Sequence, residues 1–156
     1  MQIESIKASF RYDPETGEIF RKLPDGREKK ASFYSKRQRR NRVTFKSKKM
    51  FSYRVAWLLH HGQWPDGEID HINGDSADDR ILNLRDVPRS VNQENIRKPT
   101  ARNLLGILGV SKSGKKYAAM LTVDGVSTCL GLYETPENAH AAYLNAKRIH
   151  HAGCTI

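Results

Sequence analysis

The stretch EIDHINGDSADDRILNL, residues 68–84, sets an acid and an imidazole side by side at the end of a short apolar run. A turn-rich loop follows, and Asn83-Leu84 closes it. Neighbouring side chains in a strand point to opposite sides. The strand must therefore end or bend at Asp70-His71 if both are to face one group, and Asn73-Gly74-Asp75 directly after them supplies a turn. Asparagine is suited to bonding backbone groups across such a loop, which is the reading given to Asn83.

Upstream, YRVAWLLHHG has Val55, Leu58 and Leu59 at helical spacing, and Gly62 supplies a C-terminal stop. His60 and His61 end that helix, where an imidazole interacts favourably with the helix dipole. Trp64-Pro65-Asp66-Gly67 makes a tight turn into the short stretch from Glu68 to Asp70. Further back, SFRYDPETGEIFRK (9–22) reads as two strands joined by DPETG, and RVTFKSKKMFSY (42–53) as a second hairpin. Between them SKRQRRNR (35–42) is too polar to pack and reads as a loop, either solvated or in contact with phosphate. Downstream, RSVNQENIRK is polar and helical, and RKPTARN (97–103) reads as a linker.

The last third is more regular. ILGVSK, KYAAMLTV and STCLGLYE are strand-like, and Asp124-Gly125 is a strong two-residue hairpin signal. A helix is predicted from Thr135-Pro136 to about His151, with Thr135 as N-cap and an apolar stripe of Ala139, Ala142, Tyr143, Ala146 and Ile149.

The 156 residues carry a net charge of +10. Residues 1–50 hold 15 Lys/Arg against 6 Asp/Glu, residues 51–98 hold 6 against 8, and residues 99–156 hold 6 against 3. A basic excess of this kind points to a polyanion partner, nucleic acid above all, with a plain solubility bias as the alternative. The acidic middle fits a phosphate partner only if a cation stands between them. Hydrophobic content of 38% favours several modest cores over one large one. No run approaches a membrane span of roughly 20 apolar residues. MQIESIKASF lacks the apolar core of a signal peptide. Cys129 and Cys154 form no CxxC pair, which speaks against a cysteine zinc knuckle and for a reducing, cytoplasmic setting.

Phosphodiester hydrolysis needs a water, a base to take its proton, and positive charge near the leaving oxygen. A hard cation such as Mg²⁺ accepts carboxylate and amide oxygens together with phosphate and water. Asp70 offers the carboxylate, Asn92 an amide carbonyl, and His71 a basic imidazole.

The pattern Asp70-His71, Asn73-Gly74, Arg80, Asn83-Leu84-Arg85, Asn92 and Asn95 resembles the HNH nuclease family, most of all its phage-type homing endonucleases. The likeness extends upstream through YRVAWLLHHGQWPDGEIDH. It implies two strands and a helix around one divalent metal, with His71 as general base, Asp70 and Asn92 as metal ligands, and Asn83 as the residue holding the loop. Two positions differ: Tyr53-Arg54 stands where the family commonly has His-Arg, and Asp79 where it tends to have Asn.

Residues 107–153 resemble the DNA-binding domain of the plant ethylene-response (Apetala-type) transcription factors. Leu130-Gly131, the ETPENAHAAY helix start and Tyr117 carry this likeness. It implies a three-stranded sheet reading DNA. The positions for Arg and Trp hold Leu108, Ser111, Met120, Thr122, Ser127 and Cys129, so base reading through bidentate arginines is largely missing. Lys112, Lys115 and Lys116 in KSGKK suit phosphate anchoring.

The expected fold is α+β. Basic β-hairpins occupy residues 1–50, a central ββα-metal (HNH) unit 51–98, a linker 99–105, and a three-stranded antiparallel sheet packed on one helix 106–156. The expected activity is metal-dependent DNA endonuclease of homing type, using Mg²⁺ with Mn²⁺ as a substitute, and neither zinc nor a small-molecule cofactor. Double-stranded DNA would be met by Arg37, Arg39, Arg40, Arg42, Arg54, Arg80, Arg89, Lys112, Lys115, Lys116 and Tyr117. The protein would act as a monomer or homodimer in the cytoplasm, that of a bacterial host if phage-encoded, without a membrane partner. The rivals are a DNA-binding regulator retaining the HNH unit as scaffold, and a nuclease directed at RNA.

Overall fold

A computed structural model describes residues 3–156. The chain divides into two compact units, one ending at Pro88 and one running Arg89–Ile156. Both are α+β, with small antiparallel sheets throughout. Among the described residues no helix is long and apolar enough to cross a membrane.

The first unit opens with α1 (Ile3–Ser9), followed by β1 (Phe10–Tyr12), β2 (Ile19–Lys22) and β3 (Glu28–Lys30), which form one antiparallel sheet. A second sheet consists of β4 (Phe33–Ser35), β5 (Arg40–Phe45) and β6 (Lys48–Phe51). Both expected hairpins are present. The basic run is not a loop throughout, however: Arg40 to Arg42 are strand residues, paired with Ser35 to Phe33. Strand pairing wins there because apolar Val43 and Phe45 are buried on one face and fix the register of their polar neighbours.

Helix α2 (Ser52–His61) ends at Gly62, whose left-handed backbone lets its N–H return to the Leu58 carbonyl. The helix buries Val55, Ala56 and Leu58 against Ile6, Phe10, Ile19, Val43 and Phe45. The same core takes Ile69 of β7 (Glu68–His71) and Leu84 of β8 (Leu84–Val87). A fully buried side chain of this size is worth about 1.5–3 kcal/mol. The β7–β8 hairpin is thus anchored by one apolar residue on each strand.

The second unit contains α3 (Arg89–Glu94), a sheet ordered β11 (Val126–Tyr133), β10 (Lys116–Val123), β9 (Val110–Ser113), and α4 (Pro136–His150). Asp124 and Gly125 both take positive φ, as a two-residue hairpin turn requires. Thr135 caps α4, accepting from the Asn138 N–H, with Pro136 in the first turn. Ala139 and Tyr143 face Val110, Ala119 and Leu121. Ile149, expected in the apolar stripe, is 76% exposed, and Lys147 is buried instead. Ala139, Tyr143 and Lys147 follow an i, i+4 ridge, which inclines across the helix and carries Ile149 away from the packed side. The boundary at Pro88 lies ahead of the expected 99–105 linker, and Asn103 there bonds the carbonyls of Ile107 and Val110.

Candidate active site

The β7–β8 register places Asp70 opposite Arg85 and His71 opposite Leu84. Ile69 points into the core, while Asp70 and His71 are each nearly enclosed, at 5% and 6% exposure. The Arg85 guanidinium donates twice to Asp70 Oδ2, from Nε at 2.8 Å and from Nη2 at 2.7 Å. His71 Nε2 lies 3.1 Å from Asp79 Oδ1, and the Tyr53 ring meets the imidazole edge-on with centroids 5.3 Å apart. A carboxylate only accepts hydrogen bonds, so Nε2 carries the proton and the neutral ring's lone pair resides on Nδ1.

The loop between the strands is bonded from within. Asn83 Oδ1 accepts from the Asn73 N–H at 2.9 Å, and its Nδ2 donates to the Asp78 carbonyl at 2.8 Å. One carboxamide thereby joins both ends of the loop. Gly74 bonds the His71 carbonyl and has φ of 74°, so the chain reverses immediately after the imidazole. Asp78 receives Arg80 Nε and Nη2 as well as Asn73 Nδ2. The Arg80 guanidinium holds the Asp78 carboxyl below the usual carboxylate range.

A second tier comes from the N-terminal hairpins. Asn41 Nδ2 reaches Asp79 Oδ2 at 3.2 Å and the Ala77 carbonyl at 2.7 Å. Tyr12 donates to the Asp79 carbonyl at 2.7 Å. Burial, and then the nearby Asp79 charge, push that phenol well above its ordinary range. The β1–β2 turn packs directly on the loop: a Cβ at Gly17 would stand 2.7 Å from the backbone of Asp79 and Arg80. The region expected to grip DNA therefore also buttresses the residue that holds His71.

The structure brings Asp70, His71 and Asn83 together on one hairpin of the first unit. Asn92 lies on α3 in the second unit, half-buried. Arg37 and Arg39 are exposed in the β4–β5 turn. Arg40 donates to the Tyr53 hydroxyl, and Arg42 to the Met50 and Lys49 carbonyls while lying over the Phe51 ring. Arg54 is half-buried on α2, Arg80 pairs with Asp78, and Arg89 is exposed at the start of α3. Lys112 and Lys115 are exposed, Lys116 pairs with Glu134 at 2.8 Å, and Tyr117 is half-buried against the C-terminal core. Sequence reasoning did not assign a role to Arg85, Tyr12 or Asn41, and saw Asp79 only as a departure. Arg85 was legible in principle, since an antiparallel pairing of 68–71 with 84–87 sets it opposite Asp70.

Among the described residues no group of three or more His, Cys, Asp or Glu is arranged to hold a metal ion. The expected donors are one carboxylate and one carboxamide. Both offer oxygen, which fits a hard divalent cation that completes its shell with water and phosphate.

No curated protein and no solved structure matched the chain. Residues 53–94, a stretch containing Tyr53, Asp70, His71, Asp79, Asn83 and Asn92, match the family model described as HNH endonuclease, so the paired strands and their loop lie within the matched stretch.

Proposed function

We propose that the protein is a divalent-metal-dependent DNA endonuclease of homing type that hydrolyses phosphodiester bonds. The supporting observation is an imidazole fixed by a buried carboxylate, next in sequence to Asp70, inside the segment that matches the HNH family. His71 takes the proton of the attacking water at Nδ1. Asp79 keeps the ring in the tautomer that makes this possible. Asp70 and Asn92 are the residues that would hold the metal, Mg²⁺ by preference and Mn²⁺ as a substitute. When bound, the metal supplies positive charge to the phosphate and to the departing 3′ oxygen. Arg85 fixes the orientation of the Asp70 carboxylate, and Asn83 keeps the loop closed beneath His71.

Arg37 and Arg39 in the turn before β5, Lys46 in the turn after it, and Lys48 and Lys49 at the start of β6 are all exposed and available to the DNA backbone. Lys112 and Lys115 offer a second phosphate contact from the Apetala-like sheet. Replacing Lys112 and Lys115 by Ala should weaken binding to all duplexes alike and reduce its salt dependence, read by gel shift at several salt concentrations. An unchanged salt slope would remove that sheet from the DNA contact.

A plasmid nicking assay with Mg²⁺ or Mn²⁺ tests the activity. The intact protein should cut, a chelator should abolish cutting, and His71→Ala should slow it about 10²–10⁴-fold. Equal cutting by both proteins would overturn the role of His71. No cutting by either with any divalent metal would favour a DNA-binding regulator, and preferential cutting of labelled RNA an RNA-directed nuclease.

A further inference from the structure

Helix α3 spans only six residues. Isolated helices shorter than about 12–15 residues barely hold themselves in water, so whatever fixes Asn92 must come from beyond the helix. Within the second unit that support is the end of α4 and the segment 151–156.

Gly153 packs on α3 without intervening atoms. Its buried N–H donates to Glu94 Oε2 at 2.8 Å, and a Cβ there would lie 2.0 Å from the Val91 carbonyl oxygen and 2.9 Å from Glu94 Cβ. No side chain fits. Lys147 is 1% exposed, yet its ammonium donates to the Ile96 carbonyl at 2.6 Å, just past α3, with the Tyr143 ring 5.7 Å away. Burial lowers the pKa of this lysine, so its charge is held in place at some cost to stability. Arg97 donates to the Thr155 carbonyl at 3.0 Å and to its hydroxyl, and that hydroxyl donates to the buried Asn95 side chain. Four consecutive residues, Glu94 to Arg97, are thus tied to Lys147, Gly153 and Thr155.

We infer that Lys147 and the segment after α4 are a positioning device for the Asn92 carboxamide. The inference rests on the reading of Asn92 as a metal ligand. Gly153 and Lys147 are positioning residues, since they act through α3.

The test uses the full chain as wild type, Asn92→Ala, Gly153→Val and Lys147→Met, with hydrogen exchange over residues 89–97 and Mn²⁺ titration followed by electron paramagnetic resonance. Gly153→Val should strip protection from α3 while β10 and β11 keep theirs. Its Mn²⁺ affinity should fall about tenfold, as in Asn92→Ala. Unchanged α3 protection and Mn²⁺ affinity in Gly153→Val and Lys147→Met, beside a weakened Asn92→Ala, would overturn the positioning role and leave the ligand reading intact. Wild-type affinity in Asn92→Ala would overturn the ligand reading, and the inference with it. Should Gly153→Val unfold the sheet, Lys147→Met, which adds no bulk, decides on the same two readouts.

Discussion

Asp79 Oδ1 sits 3.1 Å from His71 Nε2, with 0% and 7% of the two side chains exposed. A polar pair this enclosed is costly to break, because removing one partner strands the other. Asp79→Ala should lower stability by about 1–3 kcal/mol and slow cleavage about 10–100-fold. Asp79→Asn keeps an acceptor for Nε2–H and should retain most of both. Thermal melts and single-turnover nicking check this, and wild-type rates in Asp79→Ala would refute the orienting role.

Asn83 is 7% exposed and bonds the loop at both ends. Asn83→Ala leaves a backbone N–H and a backbone carbonyl without their partner, at a cost of about 2 kcal/mol. For a unit of this size, at about 4–8 °C per kcal/mol, that should lower the melting temperature by roughly 8–16 °C. An unshifted melt would show that the loop closes without the carboxamide.

Gly17 and Gly26 make a matched pair. Both have positive φ, but a Cβ at Gly17 meets the Asp79–Arg80 backbone at 2.7 Å, whereas Gly26 has open space around it. Gly26→Ala should cost only the backbone penalty, about 1–2 kcal/mol. Gly17→Ala should cost clearly more and also slow cleavage, because the clash falls on the residue that holds His71. Equal melting temperatures would mean that the turn and the loop are not in firm contact.

The Arg80 guanidinium, aided by Asn73, holds the Asp78 carboxyl below its ordinary range. A carboxylate with a depressed folded pKa stabilises the protein above the unfolded value, about 3.9, and that stability is lost as pH falls through the folded value. Asp78→Asn should therefore flatten the acid limb of the melting curve below about pH 4. The effect should be small, since Arg80 is largely exposed. Melts across that window compare the two proteins, and parallel acid limbs would count against the pairing.

The sequence disclosed the elements whose determinants are local. The Asp124-Gly125 turn, the Thr135-Pro136 cap and the Gly62 stop each depend on a few adjacent residues, and each stands where it was expected. Contacts between distant segments stayed hidden. Tyr12 and Asp79 are 67 residues apart, and Asn41 and Asp79 are 38 apart. No periodicity encodes such partners. The strand at Arg40 to Arg42 was obscured because its charge suggested solvent, while burial of Val43 and Phe45 on one face decided the conformation. Asp79 was visible as an unusual residue, but its partner became evident only once the loop was closed.

The apolar residues beneath the β7–β8 hairpin have a practical consequence. Val55, Leu58, Ile69 and Leu84 fall within residues 53–94, yet they are roofed by Ile6, Phe10, Ile19, Val43 and Phe45, all of which precede that stretch. The matched stretch is therefore not a portable cassette. A synthetic peptide of residues 53–94 should give the circular dichroism of a largely unstructured chain. Engineers transplanting the matched stretch would have to carry its amino-terminal masonry along with it.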